Sequence, residues 1–319
     1  MRSPFVAVGG AATMVLGVAV ACAVTVDPPD LVEDPDAGFS DGGGFVFPGE
    51  GEGEGEGEGE GEGEGEGEGE GEGEADTGTL NPGRQSFSVD VAFGGATVTR
   101  TVVIFSPSTV DRVPLVPAVI ALHGNGDTPD AFATALGLQA TAQAAGVVIA
   151  VPAGRNRTVR FDTFDFPGID WDAYNELAQN EDLAFMDTLV ARLANTGDVD
   201  TQRLHAFGYS QGGFMSFRLG IDRAATFDSA VVVAAGDPFD NAARLTGAAR
   251  DIPFVLRVGV NDSFLALART SRTNLQTAGH PVLLTEVPGA GHAPFPVALT
   301  ETASGITRDL ISGQLLAPP

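Results

Sequence analysis

The five residues Gly-Tyr-Ser-Gln-Gly at positions 208–212 fit the pattern G-x-S-x-G, which can present a serine hydroxyl for nucleophilic attack. The pattern needs a strand before it and a helix after it, because the sharp turn between them lifts the hydroxyl above the strand end. An apolar run over Leu204–Tyr209 predicts that strand, and a helical pattern begins at Gln211. We therefore predict that Ser210 is a nucleophile. The alternative is a small-residue turn that merely contains a serine.

A serine nucleophile needs a general base, and His292 is the histidine whose position suits that role. It ends the segment Gly-Ala-Gly-His at residues 289–292, directly after a strand that we predict over Val282–Val287. His280 precedes that strand and His205 begins the nucleophile strand, so both are expected at the opposite edge of the sheet. Chain position therefore selects His292 among the histidines as the general base. The alternative is that His292 is an ordinary loop histidine.

A third group must orient the imidazole and stabilise its charged form. Asp262 follows the predicted strand Pro253–Val258, one strand before His292. The resulting chain order of serine, aspartate and histidine is one of the known orders for such a triad. Asp237 follows the preceding strand and is the rival. Asp262 could also act only as a cap for the helix that begins after it.

Acyl transfer through a serine also needs N–H donors for the oxyanion. His-Gly-Asn at residues 123–125 follows the apolar strand Val116–Leu122, where a loop can aim a backbone N–H at the point reached by the N–H of Gln211. We predict Asn125 and Gln211 as the donors, with Gly126 the less favoured candidate in the loop. The alternative is a glycine-rich turn, and in either case we interpret its histidine as structural.

Short apolar runs alternate with longer amphipathic stretches around these residues, which predicts an α/β fold with a mostly parallel sheet and helices on both faces. The predicted strands are Val116–Leu122, Val147–Val151, Leu204–Tyr209, Ser229–Ala235, Pro253–Val258 and Val282–Val287. Helices are predicted over Asp130–Ala145, Glu181–Leu193, from Gln211, around Asn241–Ala249, over Phe264–Thr277 and within Val297–Leu315. Ser86–Phe93 and Val98–Phe105 predict a hairpin at an antiparallel N-terminal edge.

The stretch from residue 160 to 174 is rich in aromatic residues and is interpreted as a loop between a strand and the helix at Glu181. Its aromatic residues are Phe161, Phe164, Phe166, Trp171 and Tyr174. Such a loop would lie over the strand ends near Ser210, where an aromatic side chain could bind an acyl or aryl group. Packing beneath the loop as a small apolar cluster is equally open. Trp171 is the substrate-binding candidate.

Composition divides the 319 residues into an unusual N-terminal part and an ordinary folded part that begins near Leu80. The formal net charge is -26, but residues 1–74 hold 19 of the 43 acidic residues and one of the 17 basic ones. The remainder carries 24 acids and 16 arginines, a net charge near -8 that argues against nucleic acid as a partner. Its roughly 240 residues suffice for one domain. We assign residues 80–319 to it.

Residues 49–74 are an unbroken Gly-Glu alternation. The tract has no apolar residue to bury, its glycines lose the most entropy on ordering, and its glutamates repel one another. We interpret residues 22–79 as a disordered acidic linker that holds the domain away from a surface. Weak cation binding by the glutamates is the less favoured alternative.

The N-terminus has the features of an export signal: Arg2, an uncharged stretch over Phe5–Val26, and small residues before Cys22. Val-Ala-Val-Ala-Cys at residues 18–22 resembles the lipobox of bacterial lipoproteins, which implies cleavage of residues 1–21 and lipidation of Cys22. Cleavage by ordinary signal peptidase and an uncleaved membrane anchor stay open. Cys22 is the only cysteine, which excludes an intramolecular disulfide, and the four histidines are too scattered to suggest a metal site.

Several segments together resemble the polyhydroxybutyrate depolymerase and feruloyl esterase group of α/β-hydrolases. Residues 199–215 look like the nucleophile region of that group, and Ala-Leu-His-Gly-Asn at 121–125, Glu-Asp-Leu-Ala-Phe at 181–185 and Gly-Ala-Gly-His at 289–292 are similar to its other landmarks. The resemblance spans about residues 84–315. It implies the α/β-hydrolase fold and ester hydrolysis through an acyl-enzyme, without a cofactor, by the residues assigned above.

The combined expectation is an exported, membrane-tethered serine esterase that acts on small or polymeric carboxylic esters. Relatives often carry disulfides and carbohydrate-binding modules that this sequence does not have, which weakens the case for polymer degradation more than the case for ester hydrolysis. A peptidase or thioesterase with the same triad is an alternative. A surface binding module that keeps the fold without catalysis is another.

Overall fold

The apolar runs of the sequence form the strands of one large sheet. The structure is a computed structural model that describes residues 79–110, 114–161, 164–176, 178 and 180–292. The described strands are β1 (Gly83–Phe93), β2 (Ala96–Ser106), β3 (Val116–Leu122), β4 (Val148–Pro152), β5 (Arg155–Phe161), β6 (Phe164–Asp170), β7 (Val199–Tyr209), β8 (Ser229–Val233), β9 (Phe254–Gly259) and β10 (Val282–Val287).

Eight strands form the central sheet in the order β1-β2-β4-β3-β7-β8-β9-β10. The strands from β4 to β10 in that order are parallel, whereas β2 runs antiparallel to both β1 and β4. Every residue of β3, β4 and β8 is buried, as expected for parallel strands covered on both faces. The predicted fold class, including the antiparallel N-terminal edge, is confirmed.

The described helices are α1 (Pro129–Leu136), α2 (Leu138–Ala145), α3 (Glu181–Asn195), α4 (Gln211–Asp222), α5 (Ala242–Leu245) and α6 (Leu265–Ala278). The prediction of one helix over Asp130–Ala145 was wrong. Gly137 adopts φ 61° and ends α1. Its backbone N–H donates a hydrogen bond to the Thr134 carbonyl, so the chain turns before α2 begins. The helix predicted within Val297–Leu315 lies outside the described residues.

The stretch predicted as an aromatic loop is largely a hairpin, because β5 pairs antiparallel with β6 in a separate two-stranded sheet. Ion pairs attach this hairpin to α3: Arg157 Nη1 lies 3.1 Å from the buried carboxylate of Asp182, and Arg155 pairs with Glu181. Alternation of apolar and polar residues is the usual sign of a strand. Strand β5 shows little alternation, because charged side chains attach this strand to α3. That is why its sequence did not predict a strand.

The parallel strand order sets where a site can form. The carboxyl ends of β3, β7, β8, β9 and β10 all meet one edge of the sheet, and the chain leaves each of them there into a loop or helix. Helix α4 is buried along nearly its whole length and begins at that edge directly after β7. Within the described residues, no helix combines the length and apolar character needed to cross a bilayer.

Candidate active site

Ser210 stands alone between β7 and α4 in a strained backbone conformation, with φ 53° and ψ -119°. A residue other than glycine rarely adopts a positive φ, and such strain concentrates at functional sites. The turn is closed by glycines on both sides. A Cβ on Gly208 would overlap the Gly212 carbonyl, and one on Gly212 would overlap the Leu122 carbonyl. The tight turn expected for G-x-S-x-G is therefore present, and it half-exposes the Ser210 hydroxyl.

His292 connects the serine to a carboxylate. Ser210 Oγ lies 2.9 Å from His292 Nε2, and His292 Nδ1 lies 3.1 Å from Asp262 Oδ2. The Asp262 side chain is fully buried and also accepts the Phe264 N–H at 2.9 Å, whereas the imidazole is 32% exposed. The structure thus brings together three residues that are up to 82 positions apart in sequence.

Asp237, the rival acid, faces its own loop. Its carboxylate accepts the N–H groups of Phe239 and Asn241, each at 3.0 Å, and burial raises its pKa. It therefore has two backbone donors of its own and acts as a loop cap rather than as a partner of the imidazole.

The other histidines are engaged away from the serine. Burial lowers the pKa of His205 to about 4, and its Nδ1 contacts Ser229 Oγ at 2.7 Å. His280 contacts the backbone of Ile252. The His123 ring is fully buried and accepts the Gly154 N–H at 3.0 Å, which is a structural contact.

Two aromatic side chains hold the imidazole, and the sequence had not indicated either. Tyr209 stacks on His292 with ring centroids 5.6 Å apart and donates its hydroxyl to the His292 carbonyl at 2.6 Å. Burial raises the pKa of Tyr209 to about 12, so the hydroxyl stays protonated and able to donate. Phe264 meets the imidazole edge-on at 5.3 Å. Tyr209 occupies the variable position before Ser210, where the G-x-S-x-G pattern carries no signal.

The oxyanion candidates lie on the two sides of the serine. Gln211 begins α4, so its backbone N–H has no acceptor within the helix and belongs to the positive end of the helix dipole. On the other side, a Cβ on Gly124 would lie 3.5 Å from Ser210 Cβ, which places the loop after β3 against the nucleophile. Gly126 is a poor donor because its N–H already bonds to the Ile169 carbonyl at 2.8 Å. This leaves Asn125 as the better-placed candidate of the two.

The Asn125 side chain points away from an oxyanion role of its own, since its amide nitrogen donates to Asp170 Oδ2 at 2.6 Å. Asp170 is fully buried at the end of β6, and its other oxygen accepts the Trp171 N–H at 2.7 Å. Burial raises the pKa of Asp170 to about 6, against the opposing effect of its hydrogen bond from Asn125. The loop after β3 is therefore tied to the hairpin through a buried carboxylate.

The assignment of Trp171 to substrate binding was wrong. Its side chain is fully buried, its indole N–H donates to the His123 carbonyl at 2.9 Å, and no surface remains for a ligand. Tyr174, from the same aromatic stretch, is half-buried. Its hydroxyl lies 3.2 Å from Oε1 of Gln211, the residue that follows Ser210. Tyr174 and Phe264 both pack on Phe214, at 6.0 and 5.1 Å, and form partly exposed aromatic surface beside the site.

Two further predictions concern the lipidation site and metal binding. Cys22, the lipidation candidate, lies outside the described residues, together with the proposed signal and residues 22–78 of the proposed linker. In the part of the chain that the structure describes, no three His, Cys, Asp or Glu side chains cluster in a way that could hold a metal ion.

Residues 109–307, more than half of the chain, match the sequence model of the phospholipase/carboxylesterase family. No curated protein sequence matches the chain. Among solved structures, an S-formylglutathione hydrolase from Agrobacterium tumefaciens is similar over 72% of this chain and 94% of its own, with a TM-score of 0.57 and 16% identity. A ferulic acid esterase is similar over 71% and 99%, with a TM-score of 0.53 and 16% identity. At these identities the similarity establishes the fold.

Proposed function

The chain belongs to the phospholipase/carboxylesterase family and is a serine hydrolase of carboxylic esters, and on that premise we propose that Ser210, His292 and Asp262 carry out the hydrolysis. The observation that supports this assignment is the continuous set of contacts from Ser210 Oγ through both imidazole nitrogens to the buried Asp262 carboxylate, at 2.9 and 3.1 Å. Nucleophile and base, and base and orienting acid, are each within hydrogen-bond reach.

In the proposed reaction, Ser210 Oγ attacks the ester carbonyl carbon while its proton passes to His292 Nε2. Asp262 stabilises the imidazolium through Nδ1–H, and the backbone N–H groups of Gln211 and Asn125 stabilise the oxyanion. Collapse of the tetrahedral intermediate breaks the ester C–O bond, and the leaving alcohol takes the proton from Nε2. Water then attacks the acyl-serine by the same steps and releases the acid.

The substrate proposal rests on the surface next to the serine. Tyr174 and Phe264 present half-buried aromatic rings there, which favours apolar or aryl groups over charged ones. Feruloyl esters and hydroxyalkanoate esters both have an uncharged acyl group of this kind. We propose esters of these two types as the substrate class.

A panel of substrates tests this function. The purified full-length chain is expected to hydrolyse short acyl, feruloyl and hydroxyalkanoate esters, and to prefer them to matched thioesters and peptides. A fluorophosphonate should stop the reaction and add its mass to the tryptic peptide that contains Ser210. Turnover of thioesters or peptides alone would contradict the substrate class. Labelling of a different serine would contradict the assigned nucleophile.

We also propose that the enzyme is exported and tethered to a membrane of the cell envelope. The support comes from the sequence: a single basic residue is followed by the uncharged stretch Phe5–Val26, and Cys22, the only cysteine of the chain, lies within it directly after small residues. Attachment of a lipid is a use that explains a single thiol at this position of an export signal. The acidic tract that follows would then separate the hydrolase from the lipid surface.

Cys22→Ser is expected to move the protein from the membrane fraction to the soluble exported fraction, because a serine cannot receive the thioether-linked lipid. Fractionation and immunoblotting measure the shift, and ester hydrolysis by the soluble variant should match that of the wild type. Cys22 is far from the triad in sequence, so activity serves as the internal control. An unmodified Cys22 thiol in the mature wild-type protein, found by mass spectrometry, would rule out the lipid anchor.

A further inference from the structure

The hairpin of β5 and β6 fixes the loop that follows β3 by two hydrogen bonds. Gly126 donates its N–H to the Ile169 carbonyl at 2.8 Å, and the Asn125 side chain donates to Asp170 Oδ2 at 2.6 Å. Gly168 lies behind this amide, where an added Cβ would be 3.4 Å from Asn125 Nδ2. One side of the loop is therefore attached to β6, while Gly124 on its other side approaches Ser210.

Asp170 is an unexpected residue for a purely structural contact of this kind. Its carboxylate has no exposed surface, and burial raises its pKa to about 6 although two N–H groups bond to it and Arg157 favours its charged form. A buried carboxylate is costly, and a neutral acceptor could join two loops with less desolvation. Charge-assisted hydrogen bonds are shorter and stronger than neutral ones, which is useful where a neighbouring group must be held in one place.

We propose that Asp170 is a positioning residue of the oxyanion hole: it holds the Asn125 side chain and so keeps the backbone N–H of Asn125 directed at the oxyanion. This inference rests on the proposed function, because it needs Ser210-dependent acyl transfer. The Asp170 carboxylate bonds to Asn125 and Trp171 rather than to Ser210. Its effect is transmitted through one residue, whose side chain it binds and whose backbone faces the reaction.

Asp170→Asn tests the proposal with little change in shape. The new amide can keep its oxygen on the Trp171 N–H, but it then bonds to Asn125 only if the Asn125 amide turns over, so a neutral hydrogen bond at best replaces the charge-assisted one. We expect kcat to fall about tenfold to a hundredfold, less than the 10²–10³ that follows complete loss of an oxyanion donor, with KM nearly unchanged. Asn125→Ala keeps the backbone N–H and removes the hydrogen bond to Asp170 completely, so it should show at least as large a loss. Asn125 is exposed, so this variant does not threaten folding.

A thionoester substrate separates positioning from general damage. Sulfur is a weak hydrogen-bond acceptor, so a well-aimed N–H pair favours an ester over its thionoester. We expect the ester-to-thionoester ratio of kcat/KM to fall about tenfold in Asp170→Asn and in Asn125→Ala, in line with the loss in kcat. The double variant Asn125→Asp with Asp170→Asn should recover most of the ratio. Its amide at position 170 can accept from Trp171 and donate to the carboxylate at position 125.

Asp172→Asn is the matched control. Asp172 is another buried carboxylate of the same segment, but it accepts the Asn175 N–H at 3.0 Å and the Tyr174 N–H at 3.3 Å rather than contacting the loop after β3. It should leave the ester-to-thionoester ratio unchanged. Wild-type ratios in Asp170→Asn and Asn125→Ala, with Ser210-dependent hydrolysis intact, would overturn this inference alone. Absence of Ser210-dependent hydrolysis in the wild type would instead overturn the proposed function.

Discussion

Ser210→Ala and His292→Ala are each expected to lower kcat for ester hydrolysis by about 10⁵–10⁶-fold, and the double variant should be hardly worse than either single one. The two residues act as one unit, because Oγ at 2.9 Å from Nε2 is a useful nucleophile only while the imidazole can take its proton. Removing either member removes the covalent step. The activity that remains comes from substrate binding and the oxyanion donors, which both variants keep.

Pre-steady-state hydrolysis of a chromogenic aryl ester measures this loss. The wild type should release a burst of alcohol equal to the enzyme concentration if deacylation is slow, and neither variant should show one. Ser263→Ala is a suitable control, since Ser263 is an exposed serine next to Asp262 and should leave kcat unchanged. Normal ester hydrolysis by Ser210→Ala would refute the assigned nucleophile.

Asp262→Asn is expected to lower kcat about 10⁴-fold, as the loss of the orienting carboxylate does in a serine-protease triad. The amide can donate to Nδ1 and so stabilise the tautomer that carries its proton on Nε2, which then cannot accept the proton of Ser210. It also leaves the imidazolium without a counter-charge in a buried contact. KM should change little, because Asp262 is fully buried and reaches no substrate.

Asp237→Asn provides the matched control, since both carboxylates are buried and each follows a strand of the same sheet edge. It should keep kcat within a few-fold of the wild type, while its thermal midpoint changes because its carboxylate caps the Phe239–Asn241 turn. Kinetics and circular dichroism on both variants separate catalysis from folding. Near-normal activity in Asp262→Asn, together with a large loss in Asp237→Asn, would reverse the assignment of the acid.

The sequence alone determined the features that depend on neighbouring residues. Apolar runs predicted the buried strands, with β3 and β10 at their observed bounds. Two glycines around Ser210 predicted a turn in which any side chain would meet backbone, and the overlaps at Gly208 and Gly212 agree with that. Burial and turn geometry restrict the residue types within one short segment, so they produce a sequence pattern that can be recognised without knowing the fold.

The sequence left two questions open because their answers depend on packing between distant segments. Asp237 and Asp262 both follow strands at the same edge. Only the packing of the last loop on β9, where Asn261 bonds to the Ala290 carbonyl at 2.9 Å and Gly259 leaves no room for a Cβ, places His292 over Asp262. Likewise, aromatic content alone could not tell a buried Trp171 from a half-exposed Tyr174.

Tertiary structure alone decided the residues that support the site. Tyr209 reaches a carbonyl 83 positions away, and Asp170 reaches Asn125 across 45 positions. The hairpin that carries Asp170 is attached to α3 by ion pairs and so lacks the apolar alternation of an ordinary strand. A single polar contact between remote residues imposes no periodicity on either segment. The sequence therefore predicted the fold and the proposed reacting groups, and the folded chain determined which side chains contact those groups.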